Sequence, residues 1–148
     1  MPARYRSMTD LSSAPATRTI LLAEDEVFIR MPIAKHLREC GYRVIEAVTA
    51  HEAIDVLDHA DFAINAVITN LALAGDGFGI AKWVREHRPE LTVLLTGTPE
   101  RSVDVAAGLC RESSGRGAVD PQLLLRRIRW LLANRNRPVP GRGAQRAV

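Results

Sequence analysis

Ala66-Val67-Ile68-Thr69-Asn70 is a short apolar, β-branched run that ends on a neutral amide. Gly75, Gly77 and Gly79 follow closely, and then a helical pattern begins. Apolar run, Gly-rich loop, helix is how a buried parallel strand brings its last residue to the rim of an open sheet. In doubly wound α/β proteins, ligands bind at that rim, outside the carboxyl ends of the strands. Asn70 stands where chemistry is expected, yet an amide is a poor nucleophile.

Upstream, Thr19-Ile20-Leu21-Leu22-Ala23 reads as a first buried strand running into Glu24-Asp25-Glu26. Ile29, Ile33, Leu37 and Cys40 then share one helical face, with Pro32 one turn in and Gly41 as the stop. Tyr42 to Ala47 is a second strand. Thr49 and Glu52 match a capping box opening a helix with Ala50, Ala53, Ile54, Leu57 and Ala60 inward. Downstream of the Asn70 strand, a helix from about Gly77 is halted before Pro89, and Leu91 to Thr96 is a fourth strand. Pro99 to about Ala107 is a short fourth helix. Asp120-Pro121 caps a fifth, with Leu124, Ile128 and Leu131 as its stripe and Leu132 widening it.

The alternation predicts an α/β fold, a doubly wound parallel sheet of about five strands. Its fifth strand, expected between Gly108 and Val119, is weak or missing. Arg111 to Gly117 carries two Arg, one Glu, two Ser and two Gly, and burying those charges unpaired costs several kcal/mol each, roughly. A loop is expected there, with at most a brief edge pairing near Leu109 and Cys110. The fourth helix, with less sheet beneath it, is then expected to be mobile or displaced.

The 148 residues fit one domain at 19–133, between a flexible leader at 1–18 and a disordered Arg-rich tail at 134–148. The net charge of +3 belongs to the ends: the leader carries +2, the tail +4 and the body −3. A basic nucleic-acid-binding face on the core is therefore disfavoured. No apolar run is long enough to cross a bilayer, and no secretory signal is evident. Cys40 and Cys110 lie far apart in no metal-ligand spacing, so free thiols and a cytoplasmic setting are the simplest expectation.

Glu24 and Asp25 follow the first strand, Asn70 ends the third, and Thr96 ends the fourth. Paired carboxylates suit a hard cation such as Mg²⁺, and a Thr hydroxyl can donate to a phosphoryl oxygen. A plainer reading is equally open: Asp25 caps the next helix, Glu24 is solvated, and Thr96 bonds its own backbone. Ile20 to Glu26, the Asn70 strand with Gly75-Asp76-Gly77, and Val93-Leu94-Leu95-Thr96-Gly97 together resemble a response-regulator receiver domain, across residues 19–133. The resemblance implies a flavodoxin-like receiver fold. It puts a Mg²⁺-binding acidic pair on Glu24 and Asp25, the phosphoacceptor position on Asn70, and the phosphoryl-contact hydroxyl on Thr96.

The sequence departs from that family in the loop after the third strand, where Ala74 stands for the family's usual Pro and the stretch before Gly77 is shortened, and at three further points. Asn70 lacks the attacking carboxylate. The only lysines, Lys35 and Lys82, lie in other helices, and Arg116 does not replace a Lys point charge. The fifth strand lacks the family's switch aromatic. An amide for a carboxylate also removes a charge worth about 4 kcal/mol of gross Coulomb energy at 4 Å, so Mg²⁺ binding is expected to be weak or absent.

The expectation is a degenerate pseudo-receiver without enzymatic activity or cofactor. It acts by protein contacts in two-component signalling, with a histidine kinase, a phosphotransfer protein or another regulator as partner. A homodimer is left open and no membrane is involved. By resemblance its contact face is helix four, strand five and helix five, with Arg127 and Trp130 at the flank of the helix-five stripe. Trp130 also admits the reading that it only covers the core edge. The alternative function is a nucleic-acid-associated protein using Arg135, Arg137, Arg142 and Arg146. A metal-dependent enzyme on Glu24 and Asp25 lacks a nucleophile or phosphate loop.

Overall fold

The computed structural model describes residues 17–59, 63–113 and 120–136. Four strands form one parallel sheet in the order β2-β1-β3-β4: β1 (Thr19–Ala23), β2 (Arg43–Ala47), β3 (Ala66–Asn70) and β4 (Thr92–Thr96). Five helices accompany them: α1 (Val27–Glu39), α2 (Ala50–Asp58), α3 (Gly77–His87), α4 (Pro99–Glu112) and α5 (Pro121–Ala133). The expected leader up to residue 16, the tail from 137, Ala60, Arg116 and the stretch 114–119 lie outside the described residues.

The central strands are buried on both faces, as their uninterrupted apolar sequence demands. Ile20, Leu22 and Ile68 face α1, α4 and α5, and Leu21, Ala23 and Val67 face α2 and α3. Each layer is sealed by helix faces of period 3.6, such as Ile29, Ile33 and Leu37 on α1. Gly41, at φ +100°, ends α1 in the left-handed region that glycine tolerates. The capping box closes with a shift. Thr49 Oγ1 accepts from the Glu52 N–H at 3.1 Å, while the Glu52 carboxylate reaches back to Val48 N–H at 2.8 Å rather than to Thr49.

The fourth helix departs from expectation. It runs to Glu112, so Leu109 and Cys110 belong to its last turn and form no edge pairing. The polar residues Arg111 and Glu112 sit on its exposed side, while Ser102, Val103, Val105, Ala106, Leu109 and Cys110 turn inward. α4 lies on the α1 side of the sheet, and α5 packs on α1 and α4 together. Of the expected contact face, helices four and five pack on each other, and no fifth strand joins them among the described residues.

Cys40 and Cys110 are joined in a disulfide, with Cα atoms 5.4 Å apart. This corrects the expectation of two free thiols. The bond ties the end of α1 to the end of α4. Tyr42 O–H donates to the Leu109 carbonyl at 2.6 Å, and the Ser113 hydroxyl is shared between the Cys110 carbonyl at 2.9 Å and the Cys40 carbonyl at 3.1 Å. No helix among the described residues is long and apolar enough to cross a membrane.

At the rim, α3 starts hard against β3. A Cβ on Gly77 would lie 2.1 Å from the Asn70 carbonyl oxygen, so this crossing admits only glycine. Gly77→Ala should lower unfolding free energy by more than about 3 kcal/mol through the forced retreat of α3. Urea unfolding measures it, and a loss under about 1 kcal/mol would show that the loop yields freely.

Candidate functional site

The rim is built by the ends of β1, β3 and β4. Glu24 follows directly on β1, Asn70 is the last residue of β3, and Thr96, the last of β4, is registered against Asn70. The backbone closes this register, with Leu71 N–H donating to the Thr96 carbonyl at 2.8 Å. Thr96 is buried and Asn70 half-buried.

Glu24 is the centre of the site. Its residue is 2% exposed, a rare condition for a carboxylate. Three donor contacts meet it. Asn70 Nδ2 donates to Oε1 at 3.0 Å and to Oε2 at 3.1 Å, and Glu26 N–H donates to Oε2 at 2.9 Å. The other side of the Asn70 amide is fixed as well, because its Oδ1 accepts from Ala72 N–H at 2.8 Å. Turning the amide over would set oxygen against the carboxylate and NH₂ against an N–H, so the network allows one orientation.

Burial pushes the Glu24 carboxyl above the usual carboxylate range. The hydrogen bonds from Glu26 N–H and Asn70 oppose that shift, and the negative charges of Asp25 and Glu26 add to it. Asp25, by contrast, is exposed. The two acidic residues expected to act as a pair are therefore placed differently, one inside and one in solvent.

Basic side chains gather around this rim. Arg30 donates to the Glu24 carbonyl at 3.1 Å and pairs with Glu46 at 2.9 Å. Arg135, just past α5, places Nη2 2.6 Å from Glu26 Oε1, an ion pair by distance but out of line for a hydrogen bond. The beginning of the expected tail, residues 134–136, is thus a turn held against the acidic loop. Sequence reading passed over Arg30 and gave Arg135 only to the basic tail, because their partners are 16 and more than 100 residues away in the chain.

A divalent cation here needs oxygens converging from both carboxylate positions and the third strand. Asn70 instead turns N–H donors onto both oxygens of Glu24. The donor set does not fit Mg²⁺ as it stands, and no step can be drawn through such an ion.

Arg127 and Trp130 lie on α5, away from this rim. Trp130 is 62% exposed, so most of its surface faces solvent. Arg127 lines a groove of about 460 Å³ between α1 and α5, with Phe28, Met31 and Leu123. His36, which sequence reading passed over, is buried in the same region. Burial pulls its pKa below the usual histidine range, partly opposed by the Glu39 charge.

The four-stranded parallel sheet in this order, flanked by five helices, is an α/β fold of the receiver type, with acid, amide and hydroxyl groups at one rim. No family model matches the chain. A response regulator receiver domain protein from Clostridium thermocellum has the same fold, with 24% identity and a TM-score of 0.52 over 80% of this chain and 96% of that one. In sequence the chain is 33% identical over 95 residues to the transcriptional regulatory protein PdtaR of Mycobacterium tuberculosis. It is 30% identical over 93 residues to the sensor kinase CckA of Brucella abortus. Each match spans 62% of the chain, but only 45% of the first protein and 10% of the second.

Asn70→Asp tests the electrostatics. Two carboxylates in contact cannot both ionise cheaply, and the hydrogen bonds to a buried charge are lost. The expected cost is about 2–4 kcal/mol at neutral pH. The variant's folded state holds a proton that its unfolded chain releases, so the deficit is present above the raised pKa and shrinks as pH falls through it. Thermal unfolding at pH 5 and pH 8, with and without Mg²⁺, reads this directly. Mg²⁺ should stabilise the variant and leave the wild type unchanged; equal responses in both would contradict the site as described.

Proposed function

We propose that this chain is a phosphorylation-independent receiver-fold module, one that works by binding a protein partner in two-component signalling and not by catalysis. The observation that carries the reading is the Asn70 amide. It occupies the acceptor position, has no attacking oxygen to offer, and is committed to Glu24 on one side and Ala72 on the other. A phosphoryl group arriving there meets no carboxylate nucleophile.

Similarity to a transcriptional regulatory protein and to a sensor kinase supports a place in signalling, with a histidine kinase, a phosphotransfer protein or another regulator as partner class. The exposed apolar residues Met31, Leu123 and Trp130 on α1 and α5, with Arg127 among them, supply contact surface of the aromatic, Met and Arg type that interfaces favour. The nucleic-acid reading gains no such support. Arg135 is paired with Glu26, and the remaining tail arginines lie outside the described residues.

Incubation with acetyl phosphate and Mg²⁺, followed by intact-mass measurement, tests the proposal. The mass should stay that of the unmodified chain, whereas an acid-labile phosphoryl adduct would overturn it. Trp130→Ala should leave folding stability within about 0.5 kcal/mol, as for an exposed side chain, while weakening capture of the partner. A large stability loss would return Trp130 to a core role.

A further inference from the structure

His36, Cys40 and Cys110 meet in the interior where α1, α4 and α5 converge. His36 and Cys40 are one turn apart on α1, and Cys110 enters from the last turn of α4. Their ligand atoms all lie within 4.8 Å of one another, and the three residues are 2%, 2% and 7% exposed. Neither ring nitrogen of His36 has a hydrogen-bond partner. A buried imidazole with both nitrogens unmet loses its hydration without return, and such a group points to a missing ion or water.

We propose that, once a dithiol reductant has supplied the two electrons and two protons that open the disulfide to two thiols, the chain holds a thiophilic divalent cation of the Zn²⁺ type through His36, Cys40 and Cys110. Imidazole and thiolate are the donors such an ion selects, and His-x₃-Cys puts both on one helical face. In a tetrahedral site with Zn–S near 2.3 Å and Zn–N near 2.0 Å, ligand atoms sit about 3.5–3.8 Å apart. With the disulfide open, the two sulfurs must part to reach that spread, while the cluster already lies within 4.8 Å. Binding exchanges the two thiol protons for the cation and releases them to solvent. Two thiolates, one neutral imidazole and one dication then sum to zero charge, which a buried site can hold. Burial favours the neutral imidazole that this needs.

Apart from the disulfide, the helix ends are spanned by Tyr42 O–H to the Leu109 carbonyl and by the Ser113 hydroxyl, which lies between the Cys40 and Cys110 carbonyls. His36 also borders the α1–α5 groove, through which an ion and a fourth, water ligand can enter. The disulfide and the cation use the same sulfurs and exclude one another. This site is separate from the Asn70 rim, so its fate does not depend on the proposed function.

Co²⁺ titration of the tag-free chain provides the test, after reduction by a phosphine and anaerobic transfer to reductant-free buffer. One Co²⁺ per chain is expected, with thiolate-to-cobalt charge-transfer absorption, the strong visible bands of a tetrahedral ion, and displacement by Zn²⁺. The oxidised chain should take up none. His36→Ala should weaken binding by at least roughly a hundredfold, the upper end of what losing an outer-sphere partner costs. No uptake, an octahedral spectrum, or equal affinity in oxidised and reduced chains would overturn the proposal. If His36→Ala fails to fold, alkylation of the reduced wild type decides: Zn²⁺ should shield Cys40 and Cys110 together, and thiols that react equally fast with and without Zn²⁺ refute the site.

Discussion

The hydrogen bonds from the Asn70 amide to the Glu24 carboxylate hold the candidate rim in one arrangement. A carboxylate buried this deeply must be neutralised by a proton, a cation or converging donors. Here the donors are Asn70 Nδ2, reaching both oxygens, and the Glu26 backbone N–H. The ends of β1 and β3 are thereby joined by side chains as well as by the ladder between them. Gly77 must remain glycine so that α3 can start against the Asn70 carbonyl, and the loop from Ala72 to Asp76 is anchored through Asn70 Oδ1. An amide at this position keeps the architecture while offering the rim no carboxylate.

A second constraint acts at the far side of the sheet. Without a fifth strand among the described residues, α4 buries its apolar face against α1 and α5 and is joined to α1 through Cys40 and Cys110. The rim and this corner are linked through α1, which begins just past Glu24 and ends at Cys40. α1 thus carries Arg30, over the rim, and His36, in the interior of the helical layer.

What the sequence made legible was local. The apolar runs of β1 and β3, the caps at Thr49 and Asp120 and the stripe of α1 all depend on neighbours within a few residues. The end of α4 was obscured because Arg111 and Glu112 suggested a loop, although a helix shows such residues to solvent while Leu109 and Cys110 turn inward. The disulfide bridges 70 residues and leaves no local spacing to read. Glu24 and Asn70 stood out separately as rim residues. Their union across 46 residues depends on strand register, and so on tertiary structure. His36 carried a readable signal, the four-residue step to Cys40, which gains meaning only once α4 delivers Cys110.

The most direct measurement of the central interaction is a ¹³C NMR titration of the Glu24 side-chain carboxyl, repeated at millimolar Mg²⁺. Burial outweighing its hydrogen bonds predicts a pKa above the usual glutamate range, unchanged by Mg²⁺ because Asn70 donors already cover both oxygens. A pKa within or below that range, or one that Mg²⁺ drives downward, would show that Glu24 is open to a cation and that Asn70 does not close the site.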